Sequence, residues 1–352
     1  MKVVVVGAGY AGAFAANRVA KKVKGAEVTV VNARPEFVER IRLHQQVAGT
    51  GAVATPLGAM LRPGIAVRIG SVEKIGDGTA VLDDGESLAF DHLFLAVGST
   101  VRALPGTVPV GTWEGAQQAR AELAALPGGS TVTVVGGGAT GIETATEVAE
   151  ARPDLRVRLV APEAADCLSG AARRRALAAL ERLRVEVVAD VVAEAAAGTV
   201  RLGSGRELES GLTLWGIVAG VPDLAARSGL EVDADGRVVV DACLRSVTDP
   251  RIFAVGDCAG VVGARFGCQT AAPQARAAAD ALARLAGGRE PEPYELRYAA
   301  RCVSLGRKDA VAQFTHPDDS LKDGHLKGFT AVAFKRMVFT GTRYLTRKAV
   351  GA

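Results

Sequence analysis

Two runs of valine set the rhythm of this chain. Val3-Val4-Val5-Val6 has no alternating polar position, and a short unbroken β-branched run reads as a strand buried on both faces. Gly7, Gly9 and Gly12 follow it, after which residues 10–22 read as a helix and 27–32 as a second strand. The order then recurs. Val132-Thr133-Val134-Val135 leads into Gly136, Gly138 and Gly141, with a strand at 156–160 and a helix near 171–184 that carries Arg173, Arg174 and Arg175.

Between these units the pattern turns to short alternating pieces. Runs at 66–70, 79–83 and 87–90, bounded by Gly76-Asp77-Gly78 and Asp83-Asp84-Gly85, predict a β-meander. An apolar strand at 91–98 ends in Ala96-Val97-Gly98, and Pro105 and Pro109 mark a crossover. A similar strand ends at Gly220, and Phe253-Ala254-Val255-Gly256-Asp257 closes a third before an Ala-rich helix at about 270–286. The Gly- and Pro-rich stretch 287–293 separates a C-terminal piece. The predicted fold class is α/β: two Rossmann-like units, one inserted in the other, with a short C-terminal segment.

Composition narrows the class. The 352 residues are 49% hydrophobic and 23% charged, which excludes low-complexity disorder. A net charge of +4, spread among acids, argues against nucleic acid as a partner. One region departs from that mixing: after Asp323 there is no acid, while Lys327, Lys335, Arg336, Arg343, Arg347 and Lys348 accumulate. No apolar stretch reaches the ~18 residues of a spanning helix, and no signal-peptide pattern opens the chain, so a cytoplasmic location is expected. Phe334, Met337, Val338, Gly341, Tyr344 and Leu345 fall at helical spacing beside the basic residues. Such a stripe either docks on the protein or rests on the inner face of a membrane.

Each glycine turn carries chemistry. Gly7 and Gly136 permit the tight turn, Gly9 and Gly138 let the backbone approach a pyrophosphate, and Gly12 and Gly141 let the helix pack on its strand. The helix N-terminus then offers unpaired N–H groups to the phosphates. Two such sites imply two dinucleotides, and the chemistry that needs both is hydride transfer between a nicotinamide and a flavin. The acidic residue that usually holds a ribose hydroxyl is Asn32 in the first unit. In the second it is Ala161, with Glu163 two residues on, so both NADH and NADPH stay open as donors.

With these motifs together, the chain resembles the FAD-dependent pyridine nucleotide-disulfide oxidoreductases. The resemblance implies a FAD-binding domain from 1–110 and 245–290, an NAD(P)H-binding domain from 111–244 and a C-terminal segment from 291–352 that serves the acceptor, a membrane surface or a homodimer. It implies that Ala11, Ala96, Gly98, Gly256 and Asp257 join the FAD site, with Asp257 on the ribityl chain, and that Thr140 and Gly220 join the nicotinamide side. Members that reduce disulfides carry two close cysteines where this chain reads Glu39-Arg40-Ile41-Arg42-Leu43-His44-Gln45-Gln46-Val47-Ala48-Gly49. Cys167, Cys243, Cys258, Cys268 and Cys302 form neither that pair nor a metal-ligand spacing. Electrons are therefore expected to leave for an external acceptor, with Arg42 a cofactor contact.

Within the family the chain looks most like the type II NADH dehydrogenases, which pass electrons to quinones. Gly136-Gly137-Gly138-Ala139-Thr140-Gly141-Ile142-Glu143 is similar to their second turn, which implies a catalytic Glu143 near the nicotinamide and flavin rings. Their quinone-side pattern appears as Cys268-Gln269-Thr270-Ala271-Ala272-Pro273-Gln274. That makes Gln269 and Gln274, with His44, the acceptor-side candidates, although Pro273 interrupts the pattern. Three other readings share the fold: reduction of an iron–sulfur protein, reduction of a biosynthetic small molecule, and a slow nicotinamide-sensing flavoprotein.

Overall fold

The computed structural model describes residues 1–350. A five-stranded parallel sheet runs in the order Ile252–Ala254, His92–Leu95, Lys2–Val6, Glu27–Asn32 and Ala66–Ile69. A second is ordered Val108–Pro109, Leu212–Trp215, Thr131–Val135, Arg156–Val160 and Glu186–Val188, again all parallel. The valine runs are the central strands of the two sheets. Val3 and Val5 pack under the helices while Val4 and Val6 meet an antiparallel layer on the other face, so both pleats are apolar and alternation is lost.

Each sheet reverses strand order at its central strand, and the glycine turn lies at the carboxyl end of that strand, where such folds bind ligands. The helices that follow are Tyr10–Lys22 and Ala139–Ala151, and Ala271–Ala286 lies beside the first.

The meander differs from its expected bounds. It consists of Val72–Gly76, Thr79–Leu82 and Ser87–Ala89, whereas Ala66–Ile69 is the edge strand of the first parallel sheet. Gly70, at φ +158, falls between them, and the apolar run before it belongs to a different layer from the alternating run after it. A second antiparallel trio, Val192–Ala196, Gly198–Leu202 and Glu207–Ser210, covers the other sheet.

The C-terminal segment is a three-stranded antiparallel sheet, Ala300–Ser304, Ala310–Thr315 and Leu321–Lys327, capped by the helix Gly328–Lys348. That helix is tied to the first unit: Asn17 Nδ2 donates to the Thr346 carbonyl at 2.9 Å and Arg18 Nη1 to the Ala349 carbonyl at 3.0 Å. Its expected apolar stripe is divided. Phe334 packs edge-on to Phe314 and Leu345 is partly buried, but Met337, Val338 and Tyr344 face outward with Phe329, which is 81% exposed. The inward face is Ala331, Lys335 and Thr346. Among the described residues no helix is long and apolar enough to cross a membrane.

Candidate active site

The carboxyl ends of both sheets open on one cleft of about 1030 Å³. The first unit contributes Gly9, Tyr10, Ala11, Ala96, Gly98 and Asp257; the second contributes Gly136, Gly138, Thr140 and Ala161. The glycine roles are visible as distances. A Cβ on Gly12 would stand 1.8 Å from the Gly7 carbonyl oxygen, and one on Gly141 would stand 1.8 Å from that of Gly136. A Cβ on Gly9 or Gly138 would meet nothing within 4 Å, so those backbones are bare toward the cleft. Gly7 and Gly136 hold φ of +95 and +120, which side chains rarely adopt.

Asp257 is held in place: its Oδ2 accepts from Ser99 Oγ at 2.6 Å and its Oδ1 from the Gly267 N–H at 2.8 Å. Arg40 reaches the same wall, donating to the Ser99 carbonyl and hydroxyl at 2.9 and 2.8 Å and to the Gly111 carbonyl at 2.9 Å. Its Nη2 has no partner although buried, and burial lowers its pKa. An unpaired guanidinium nitrogen and a bare glycine turn lining one cleft are a donor set that a phosphate- and carbonyl-bearing flavin dinucleotide fits.

Asn32 lies outside that lining. Its Oδ1 accepts from the Ala8 N–H at 2.9 Å and its Nδ2 donates to the Arg34 carbonyl at 2.7 Å, so the amide braces the turn. Gly256, at φ +79, donates its N–H to Gln274 Oε1 at 2.6 Å, which makes completely buried Gln274 a support for the Asp257 turn. Gln269 likewise bridges to the C-terminal sheet when its amide is oriented to satisfy both atoms, accepting from the Ala299 N–H and donating to the Ala300 carbonyl. Gly220 accepts from the Thr100 N–H at 3.0 Å, which joins the two strand-end crossovers.

Glu143, His44 and Arg42 gather elsewhere. Glu143 is buried, ion-paired to Lys335 of the last helix, and accepts from the Ser304 N–H at 2.9 Å. His44 Nδ1 lies 3.4 Å from its other oxygen. Burial alone would raise the Glu143 carboxyl, but Lys335 and His44 overcome it and hold the pKa below the ordinary value. Burial lowers the His44 pKa to about 4, against the pull of Glu143. Arg42 pairs with Glu39 at 2.5 Å on the wall of a second cavity of about 270 Å³, which Lys335, Ser304 and Glu147 also line.

Lys335 and Arg40 carry roles that no local motif announces. Lys335 is one basic residue among six in an acid-free tail, and only burial distinguishes it from the rest. Arg40 sits in the segment already suspected, two residues before Arg42.

Paired parallel sheets, a bare glycine turn on each and an aspartate at the end of a third segment define an NAD(P)H-dependent flavoprotein oxidoreductase. The pyridine nucleotide-disulphide oxidoreductase family matches residues 1–281, and the chain belongs to it; its cofactors are FAD and a nicotinamide dinucleotide. An NADH dehydrogenase-like protein of Mycobacterium tuberculosis is 35% identical over 292 residues, covering 73% of this chain and 72% of that one. The ferredoxin–NAD(+) reductase component of the p-cumate 2,3-dioxygenase system of Pseudomonas putida is 32% identical over 281 residues, covering 73% and 67%. In fold the chain is similar to the sulfide:quinone oxidoreductase of Aquifex aeolicus, with a TM-score of 0.81 at 19% identity over 99% of this chain and 92% of that one. The enzyme class, cofactors and α/β architecture expected from sequence are borne out.

Proposed function

We propose that this protein is an NAD(P)H:quinone-type reductase whose acceptor is reduced on the side of the C-terminal segment. Bound FAD supplies the two-electron relay between nicotinamide and acceptor. The observation that carries the reading is the buried Glu143–Lys335 pair, with His44 behind it, at the junction of the second unit and the last helix. Lys335, ion-paired to Glu143, lines the second cavity, so a cationic hydrogen-bond donor stands where a quinone oxygen becomes a hydroxyl. His44, neutral at neutral pH, orients the carboxylate without competing for the charge.

Asp257 and Arg40 fit the roles of orienting and anchoring the flavin, and the turn at Gly136, Gly138 and Gly141 fits the nicotinamide dinucleotide. Residues 1–110 and 245–290 then serve the flavin, and 111–244 the donor. Phe329, Met337 and Tyr344, outward on a helix that ends in Arg347 and Lys348, suit an anionic bilayer surface where quinones reside. Anaerobic mixing with NADH and separately with NADPH, followed by a soluble quinone, tests the reading through flavin absorbance. Fast bleaching and fast recovery is the expected result. Recovery only with a small iron–sulfur protein would replace the quinone, and absence of bleaching would overturn the reductase.

A further inference from the structure

The second cavity is more cationic than a neutral quinone requires. Arg42, Arg307, Lys335, Arg336 and Arg343 line it, against the carboxylates Glu39 and Glu147, with Val332 and Phe339 supplying apolar wall. The inner cations have partners: Arg42 with Glu39, Arg307 with Glu147 at 3.4 Å, and Lys335 with Glu143. Burial also raises the Glu147 pKa, which weakens it as a counter-charge. Arg336 and Arg343, one on each side of Phe339, form no ion pair among the described residues.

The cavity also adjoins the flavin cleft. Glu39 precedes Arg40 and Ile41, which line the cleft, so one short segment walls both spaces. A molecule held here lies beside the flavin wall.

We propose that this cavity binds a small aromatic acceptor bearing a sulfonate, carboxylate or phosphate, with Arg336 and Arg343 receiving the anion at the mouth and Lys335 facing the reducible ring. The inference rests on the reductase reading and deepens it by naming the acceptor class. The reaction balances as one hydride from NAD(P)H and one proton from solvent converting a quinoid ring to its dihydroxy form, with NAD(P)+ released. Phe339, with the Lys335 ammonium 5.3 Å from its ring centre, offers an aromatic face for stacking.

The test uses the FAD-loaded full chain. Calorimetric titration with naphthalene disulfonate, which carries the anion but cannot be reduced, should show one site that weakens with salt and weakens about tenfold or more in Arg336→Gln/Arg343→Gln. The Arg336→Lys/Arg343→Lys control should recover most of the binding. In turnover, the ratio of kcat/KM for a naphthoquinone sulfonate to that for the unsulfonated naphthoquinone should fall by about the same factor in the Gln variant.

Absence of disulfonate binding, or an unchanged ratio, overturns the proposal. If NAD(P)H fails to bleach the flavin, the reductase reading falls while the titration still decides the anion site. If the Gln variant loses only its binding to phosphatidylglycerol vesicles, the two arginines belong to a membrane surface and the proposal is wrong.

Discussion

The two strand–turn–helix units are alike down to single contacts, yet their helices are put to opposite uses. Gly12 and Gly141 make the same close approach to the turn in front of them. Two residues further on, the first helix carries Phe14, buried in apolar core, where the second carries Glu143. Six residues on, Arg18 stands where the second helix has Glu147. Arg18 is bound to Asp280 at 2.7 Å and to the last helix, a clamp between elements of one unit and the tail. Glu143 and Glu147 face the C-terminal sheet and the cationic cavity. On the proposed reading, each turn holds a dinucleotide, and the residues behind the second turn are what direct that unit toward the acceptor.

The largest expected effect tests whether the halves are loaded independently. Ala at Gly12 or Gly141 would drive a Cβ into a backbone carbonyl, at a cost of roughly 3 kcal/mol or more. Gly12→Ala should purify without flavin absorbance, whereas Gly141→Ala should keep its flavin and lose rapid bleaching by NADH. Equal loss of flavin in both would mean that the two units do not hold separate dinucleotides.

Next in size is the carboxylate that replaces Phe14 in the comparison. Lys335→Met leaves the Glu143 carboxylate buried without its counter-charge, which costs ~3–5 kcal/mol. Glu143→Gln should cost less, because Lys335 keeps its hydrogen bond to Ser304 Oγ at 2.7 Å, and should slow turnover with flavin still bound. In denaturant titrations the double variant should be less destabilised than the sum of the two. Strict additivity would show that the pair is not coupled.

How much of this asymmetry is legible in the sequence depends on range. The glycine turns, their strands and the Asp257 segment are local patterns, and each is present where the spacing puts it. Glu143 stands out through the likeness of its glycine turn to the family's second turn, but its partner Lys335 is distant in the chain and looks like any basic tail residue until the helix is folded. The strand at 66–69 fails for a related reason: an apolar run carries no mark of which sheet it joins, and here it pairs in parallel with Glu27–Asn32 instead of with its neighbour in sequence. Asn32 and Gln274 have the residue types of ligands, and that they also brace the backbone of the turns is visible only in the fold.

A smaller effect follows from His44, the histidine behind Glu143. Its pKa in the folded state is about 4, below the ordinary 6.5, so the unfolded chain binds the extra proton across that interval. The contribution is complete above pH 6.5 and falls as pH drops toward 4, by roughly 3 kcal/mol in all. Glu143 opposes this by favouring the imidazolium, while Lys335, Arg42 and Arg307 reinforce it. Denaturant midpoints between pH 7 and 4.5 should decline more steeply for the parent chain than for His44→Gln. Parallel curves would place the titration elsewhere.

The smallest effect returns to the strand ends, where Asn32 and Ala161 differ. Asn32 is occupied by the turn, whereas Ala161 lines the cleft beside Glu163, which pairs with Arg173 at 2.6 Å. Both side chains are partly exposed, so the pair itself is worth at most about 1 kcal/mol. Glu163→Gln removes the carboxylate that would repel a 2′-phosphate and frees Arg173 to meet one. The ratio of kcat/KM for NADPH to that for NADH should therefore rise by about threefold. Ala161 lies inside the flavin-facing cleft and cannot form that ion pair, so a fall in the ratio would mean that Glu163 holds the donor by a contact other than charge.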